Sequence, residues 1–152
     1  MNLDIFTKAF TELTTVELYE LLKLRNEIFI VEQNCAYLDI DDKDQNSYHL
    51  FILDEQNLVG YSRILPAGVS YNEVAFGRVA ISNNYRGKGL GKLIVEESIK
   101  SCNKIFGNVD IKIGAQLHLV NLYESFDFKG SSEPYDEDGI MHIDMIRQST
   151  KT

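Results

Sequence analysis

The sequence is short of several things. Its only two cysteines, Cys35 and Cys102, lack C-x-x-C spacing, which excludes a disulfide scaffold. Only two prolines, Pro66 and Pro134, punctuate the chain, and there is no internal repeat or low-complexity tract. No window approaches the run of about 18 apolar residues that a membrane helix needs. The start, Met1-Asn2-Leu3-Asp4, is acidic and lacks the basic-then-apolar pattern of a signal peptide. Positive charge is also scarce, with 15 Lys and Arg against 23 Asp and Glu, a net charge of −8. That balance argues against nucleic acid and favours a cationic partner such as an amine or a basic peptide; with no long apolar run, no membrane partner is expected. What is present is one domain's worth of chain: 152 residues, 44% apolar, with eight Tyr and eight Phe to build a core. The expectation is a single cytoplasmic domain over residues 1–152.

The pattern along the chain predicts a mixed sheet. Leu3 to Phe10 alternates loosely and reads as a first strand. Thr14-Thr15-Val16-Glu17 matches a capping box, and apolar residues at helical spacing extend a helix from 15 to about 31. The polar, acidic stretch 34–48 reads as a loop. His49–Asp54 and Leu58–Leu65 form a hairpin, and a connection centred on Pro66 to Asn72 leads to a strand over Glu73–Ser82. A glycine-rich turn, a helix over 89–103, a strand over Val109–Gly114 and a short helix over 117–126 come next. Two closing strands, near Phe128 and over Ile140–Ile146, flank an acidic turn. The fold class is α/β (α+β): early antiparallel strands, then one β-α-β unit whose strands run parallel. Ligands in such sheets sit at the C-terminal ends of the parallel strands.

The glycine-rich turn carries the chemistry. In Val79-Ala80-Ile81-Ser82-Asn83-Asn84-Tyr85-Arg86-Gly87-Lys88-Gly89-Leu90-Gly91-Lys92, a β run meets alternating glycines where a helix must begin. Glycine lets backbone approach a ligand, and a helix N-terminus presents free N–H groups and the positive end of its dipole. Arg86, Lys88 and Lys92 add local positive charge, so the turn reads as a phosphate cradle. A Walker loop fails, because Arg86 stands where its first glycine belongs and Leu93 replaces its hydroxyl residue. A dinucleotide fingerprint fails because Lys92 takes the place of its third glycine. Arg86-x-x-Gly89-x-Gly91 remains, and a glycine-rich helix start with no ligand is its plain alternative.

This segment resembles the acyl-CoA signature of the GCN5-related N-acetyltransferase (GNAT) superfamily, R/Q-x-x-G-x-G/A. Further along, Ile111 to Gln116 is similar to the family's second, splayed strand. Asn121-Leu122-Tyr123-Glu124-Ser125-Phe126-Asp127-Phe128 resembles its ending, with Asp127 where glycine is usual. Leu24 to Cys35, Gly77-Arg78-Val79, Gly114 to Leu119 and Tyr135 to Ile143 look like the ElaA-like branch. The resemblance spans nearly the whole chain. It implies a GNAT-like, mostly antiparallel sheet with a central parallel unit. It also implies transfer of an acyl group, acetyl from acetyl-CoA above all, to an amine by direct attack in a ternary complex. On this reading the Arg86, Gly87, Lys88, Gly89, Leu90, Gly91 and Lys92 loop binds the CoA pyrophosphate. Val79, Ala80 and Ile81 align the pantetheine, Asn121 contacts the cofactor, and Tyr123 protonates the departing thiolate. No metal is implied. The acceptor is a small-molecule or peptide amine of unspecified identity, and dimerisation is common among similar proteins although no motif specifies it here. The alternative from another class is an acyl-CoA-binding or sensing module without turnover.

Other residues read two ways. By helical pattern alone Tyr123 is a core residue beside Leu119, Leu122 and Phe126; the resemblance makes it an acid. Glu73 shares a face with Val79 and Ile81 by period-two alternation, provided no bulge intervenes, and is the candidate general base; a solvated strand end reads equally well. Glu32 and His49 are the next candidates. The loop Asp39-Ile40-Asp41-Asp42-Lys43-Asp44 fails the EF-hand template at Lys43, Asp44 and Leu50, so it reads as solvated, or as an acidic wall facing an amine. The acidic turn Tyr135 to Gly139 reads the same two ways. His118 and His142 show no zinc-ligand spacing, and nothing marks Cys35 as a nucleophile.

Overall fold

A computed structural model describes residues 1–150. Strand β1 (Leu3–Ala9) leads through a short turn to α1 (Thr15–Arg25), whose start is the expected capping box. Glu17 N–H donates to Thr14 Oγ1 at 3.0 Å, and Thr14 N–H donates to Glu17 Oε1 at 2.9 Å. The α-helix stops at Arg25, short of the expected 31, and widens into a π-helical segment, Asn26–Glu32. Gln33 and Cys35 then donate their N–H groups to carbonyls five residues back, Ile28 and Ile30, each at 3.2 Å. Arg25 below it is fully buried, and Ile28 and Phe29 sink into the core, so the wider turn serves packing on both sides of one segment.

Strands β2 (Tyr48–Asp54) and β3 (Asn57–Leu65) make the expected hairpin. Its two-residue turn, Glu55-Gln56, holds φ of +49° and +77°, which suits the strand twist. Strand β4 (Val74–Ile81) comes next, then α2 (Leu90–Phe106), β5 (Ile111–Gln116) and α3 (Val120–Glu124). The chain closes with β6 (Lys129–Gly130), β7 (Tyr135–Glu137) and β8 (Ile140–Arg147). The acidic turn thus contains a strand of its own. Among the described residues these eight strands form one sheet, in the order β1-β2-β3-β4-β5-β8-β6, with β7 also on β8. The GNAT-like architecture is present: every pairing is antiparallel except β4 with β5.

Each face of the sheet carries its own apolar layer. Ile94, Val95 and Cys102 of α2 pack with Phe76, Phe128 and Met145 on one face. Leu21 and Leu24 of α1, with Ile28 and Phe29, pack on Phe51 and Tyr61 on the other. The period of two holds along β2, where Leu50 and Ile52 join the first layer and Phe51 the second.

It fails in β4. Tyr61 pairs with Ala80 and Arg63 with Gly77, so Arg78 and Val79 together oppose Ser62 alone. Arg78 takes a φ of +51°, a left-handed value for a side-chain-bearing residue. This bulge flips the parity of the strand: Val74 and Phe76 join the first layer before it, Val79 and Ile81 after it. Continued backward, the alternation puts Glu73 with Ala75 and Gly77, on the face opposite Val79 and Ile81.

The loop at 39–44 is solvated only at Ile40 and Asp42. Asp39 and Asp44 are buried, and five ion pairs tie Asp39, Asp41 and Asp44 to Arg25, Arg63 and Arg78 at 2.7–3.0 Å. A sixth, longer contact joins Arg78 to Asp41 at 3.3 Å. Aspartates spaced for solvent are here the counter-ions of three arginines from α1, β3 and β4.

Candidate active site

Strands β4 and β5 pair only at Val74–Ile111 and Ala75–Lys112 and then diverge. From Phe76 to Ile81, β4 keeps β3 on one edge and leaves its other edge without a strand. The divergence opens a cleft of about 950 Å³ that runs from the arginine–aspartate network to the glycine-rich turn. A row of unpaired strand groups along a cleft can take an extended ligand as an added strand.

The free edge ends at a helix start built without a cap. Gly89 is the N-cap of α2, at φ +81°, and no side chain caps it. The first helical bond runs from Leu93 N–H to Gly89 O at 3.3 Å, so the amides of Leu90, Gly91 and Lys92 have no acceptor within the helix. Gly87, at φ +75°, and Gly89 both have open space where a Cβ would stand. These glycines, with Arg86, Leu90 and Gly91, line the cleft. Free amides, a helix dipole and space for close approach fit a diphosphate, so the residues present suit the group that the motif implies.

Arg86 itself is engaged. Its Nη1 and Nη2 both donate to the carboxylate of Glu32, at the end of the π-helical segment. This bond, with the Arg86 charge, holds the Glu32 carboxyl below its ordinary range against the opposing effect of burial. Lys88 stands off the cleft with its Nζ 5.0 Å from the centre of the Tyr85 ring, and Lys92 lies outside the lining. Val79 and Ile81 line the cleft, whereas Ala80 points to the opposite layer and contributes backbone alone.

Tyr123 of α3 lines the cleft with its ring edge-on to Phe128, centroids 5.9 Å apart. It is 6% exposed. Burial pushes its phenol up to about 12, so it stays protonated at neutral pH. Asn121, two residues earlier, is exposed and does not line the cleft.

Of the candidate bases, Glu73 precedes β4 and is absent from the lining, and the bulge takes it off the face of Val79 and Ile81. His49 is fully buried on the network side, with Nδ1 2.6 Å from Tyr61 Oη and Nε2 2.9 Å from Asp44 O. It is structural. Glu32, Asp41, Glu137 and Asp138 are the cleft's carboxylates, and the first two are paired with arginine. Cys35 is buried, its Sγ–H directed at Asp138 O at 3.2 Å.

A second feature escaped the sequence. Tyr135 donates to Asp144 Oδ1 at 2.7 Å, and its hydroxyl and that of Tyr71 lie over Gly114, where a Cβ would meet each at 3.1 Å. Gly114 therefore makes room for two phenols beside the point where β5 leaves β4. Nothing local signals this, since the three residues are far apart in the chain. Among the described residues no group of three His, Cys, Asp or Glu is arranged to hold a metal ion, and no helix is long and apolar enough to cross a membrane.

Comparison with known proteins agrees with this geometry. A family model described as an acetyltransferase (GNAT) domain matches residues 20–149. Protein ElaA of Escherichia coli is 41% identical over 140 residues, 91% of this chain and 92% of its own. A UPF0039 protein of Synechocystis is 40% identical over 147 residues, 96% of each chain. The crystal structure of an acyl-CoA N-acyltransferase from Pseudomonas aeruginosa superposes with a TM-score of 0.92 at 36% identity, covering 96% of this chain and 99% of that one.

Proposed function

The chain belongs to the GNAT acetyltransferase family, and on that footing we propose that it transfers an acyl group, acetyl above all, from acyl-CoA to an amine by direct attack in a ternary complex. One observation carries the reading: the unpaired edge of β4 runs through the cleft to the uncapped start of α2. The two halves suit the two halves of one ligand, an amide-rich arm and a diphosphate. When bound, acyl-CoA supplies an activated thioester.

This chain's residues do the rest. The amides after Gly89, with Arg86, hold the diphosphate, and the backbone of Val79 to Ile81 holds the arm as an added strand. Tyr123, kept protonated by burial, gives its proton to the sulfur as the C–S bond breaks. The nucleophile must arrive as a neutral amine. Glu137, which lies 3.6 Å from His142 Nε2, and Asp138 are the cleft's carboxylates without an arginine and can receive the ammonium's proton in place of Glu73.

Titration calorimetry with acetyl-CoA and CoA tests the site. Saturable binding, weakened at least tenfold by a combined Arg86→Ala, Lys88→Ala change, is the expected result. Thiol release against a panel of amines then tests transfer, and Tyr123→Phe should slow release at least tenfold while leaving CoA affinity within about twofold. Binding without release from any amine would make the protein an acyl-CoA-binding module. No binding by a folded sample overturns the reading.

A further inference from the structure

Glu32 stands apart from its surroundings. The glycine-rich turn is basic, with Arg86, Lys88 and Lys92, yet the one guanidinium that lines the cleft there is held by a carboxylate from the other side of its mouth. Glu32 is not on the turn. It comes from the far end of the π-helical segment, whose Ile28 and Phe29 are anchored in the core. That anchoring fixes where the carboxylate reaches.

The pairing is bidentate, through both terminal nitrogens of Arg86. This is the edge of a guanidinium that best fits two phosphate oxygens. Arg86 Nη2 also lies 3.5 Å from Ile81 O, where β4 ends, so the guanidinium sits between the strand edge and the helix start. The two side chains remain 44% and 34% exposed, which leaves the pair weak and exchangeable.

We propose that Glu32 is an internal competitor for the anion site: its carboxylate holds the guanidinium fork of Arg86 and must cede it to the diphosphate of acyl-CoA. Glu32 thereby sets how tightly CoA is held and how fast it leaves. The proposal rests on the acyl-CoA function proposed for the same cleft. Chemically it is an exchange of one oxyanion for another on a single fork, with no bond made or broken.

A double-mutant cycle tests it, using titration calorimetry for affinity and stopped-flow for dissociation. CoA and acetyl-CoA are titrated into the wild type, Glu32→Gln, Arg86→Met and the double variant. S-acetylpantetheine, which lacks the diphosphate, serves as the control. Glu32→Gln should tighten CoA binding by about three- to fivefold, the fold-change that a surface pair of up to about 1 kcal/mol allows. Dissociation should slow to match. The effect should vanish in the Arg86→Met background and with acetylpantetheine. Weaker or unchanged binding in Glu32→Gln overturns the proposal. Equal tightening with and without Arg86 also overturns it, because that result means diffuse repulsion and no exchange. A wild type that does not bind CoA removes the acyl-CoA function itself, a failure visible before any variant is compared.

Discussion

Arg25 has no exposed surface and carries a full charge, which is tolerable only because Asp39 and Asp44 share its guanidinium. Asp41 belongs to the same network through Arg63 and Arg78. Burial alone would push the Asp41 carboxyl up, but the bonds from Arg63, its charge and a backbone N–H outweigh burial and bring it to about 2. Linkage gives the sign. A carboxyl held below its unfolded value of about 3.9 stabilises the fold above about pH 4 and loses that contribution as pH falls through about 2. Asp41→Asn should therefore cost about 2 kcal/mol at neutral pH and flatten the loss of stability between about pH 4 and 2. Urea unfolding across that range checks it, and an unchanged acid limb would refute it. The same residues mark a limit on reading the chain. Asp39 meets Arg25 across 14 positions and Arg78 across 39, so nothing within the loop distinguishes counter-ions from solvent-facing acids. The uncapped, glycine-rich start of α2 was legible for the opposite reason: Arg86 to Lys92 are contiguous and that geometry needs only local backbone.

Elements with a steady period were also legible, and elements that break period were not. The capping box located the start of α1, and alternation located β2 and β3, to within a residue or two. The π-helical segment and the β4 bulge each insert a change of phase, and each re-aims the residues on its far side. That is why Glu73 was expected beside Val79 and why the first helix was expected to reach 31. Both irregularities border the cleft, where they aim Glu32 and Arg78 into it. Arg78 is the sharper case, since its φ of +51° costs an ordinary side chain about 1–2 kcal/mol and costs glycine almost nothing. Both Arg78→Gly and Arg78→Ala delete the ion pairs to Asp39 and Asp41. Gly should nonetheless be the more stable of the two by about 1 kcal/mol, the reverse of the usual order in a strand. Paired melts of the two variants decide it, and Ala above Gly would mean the bulge relaxes.

As a whole the molecule is one sheet in two antiparallel halves, β1 to β4 and β5 to β8, whose strands meet through two parallel residue pairs. A ligand lying along the free edge of β4 would touch both halves, since the cleft is lined by β4 and α2 and also by Gly114, Gln116 and Tyr123. Saturation with acetyl-CoA at about 100 times its dissociation constant should then add about 2.7 kcal/mol, a rise of about 5–10 °C in Tm for a chain of this size. Thermal melts with and without acetyl-CoA measure it directly, and a flat response would count against binding in the cleft. The global outline was the easiest part to read, because the order of strands and helices alone dictates which neighbours run parallel.

The narrow seam also bears on how the protein is made. A ribosome that has released the chain through Ile81 has released every strand of the first half-sheet together with α1, and all of their antiparallel pairings are among themselves. The backbone ladder of that half needs nothing from the rest of the chain, although the face that α2 covers stays open until α2 emerges. The seam requires a further connection of about 30 residues and returns only two rungs of ladder for closing it. Most of what joins the halves is the core that α2 shares with both, and the cleft is complete only once the second half has docked, since Gly114, Gln116 and Tyr123 line it.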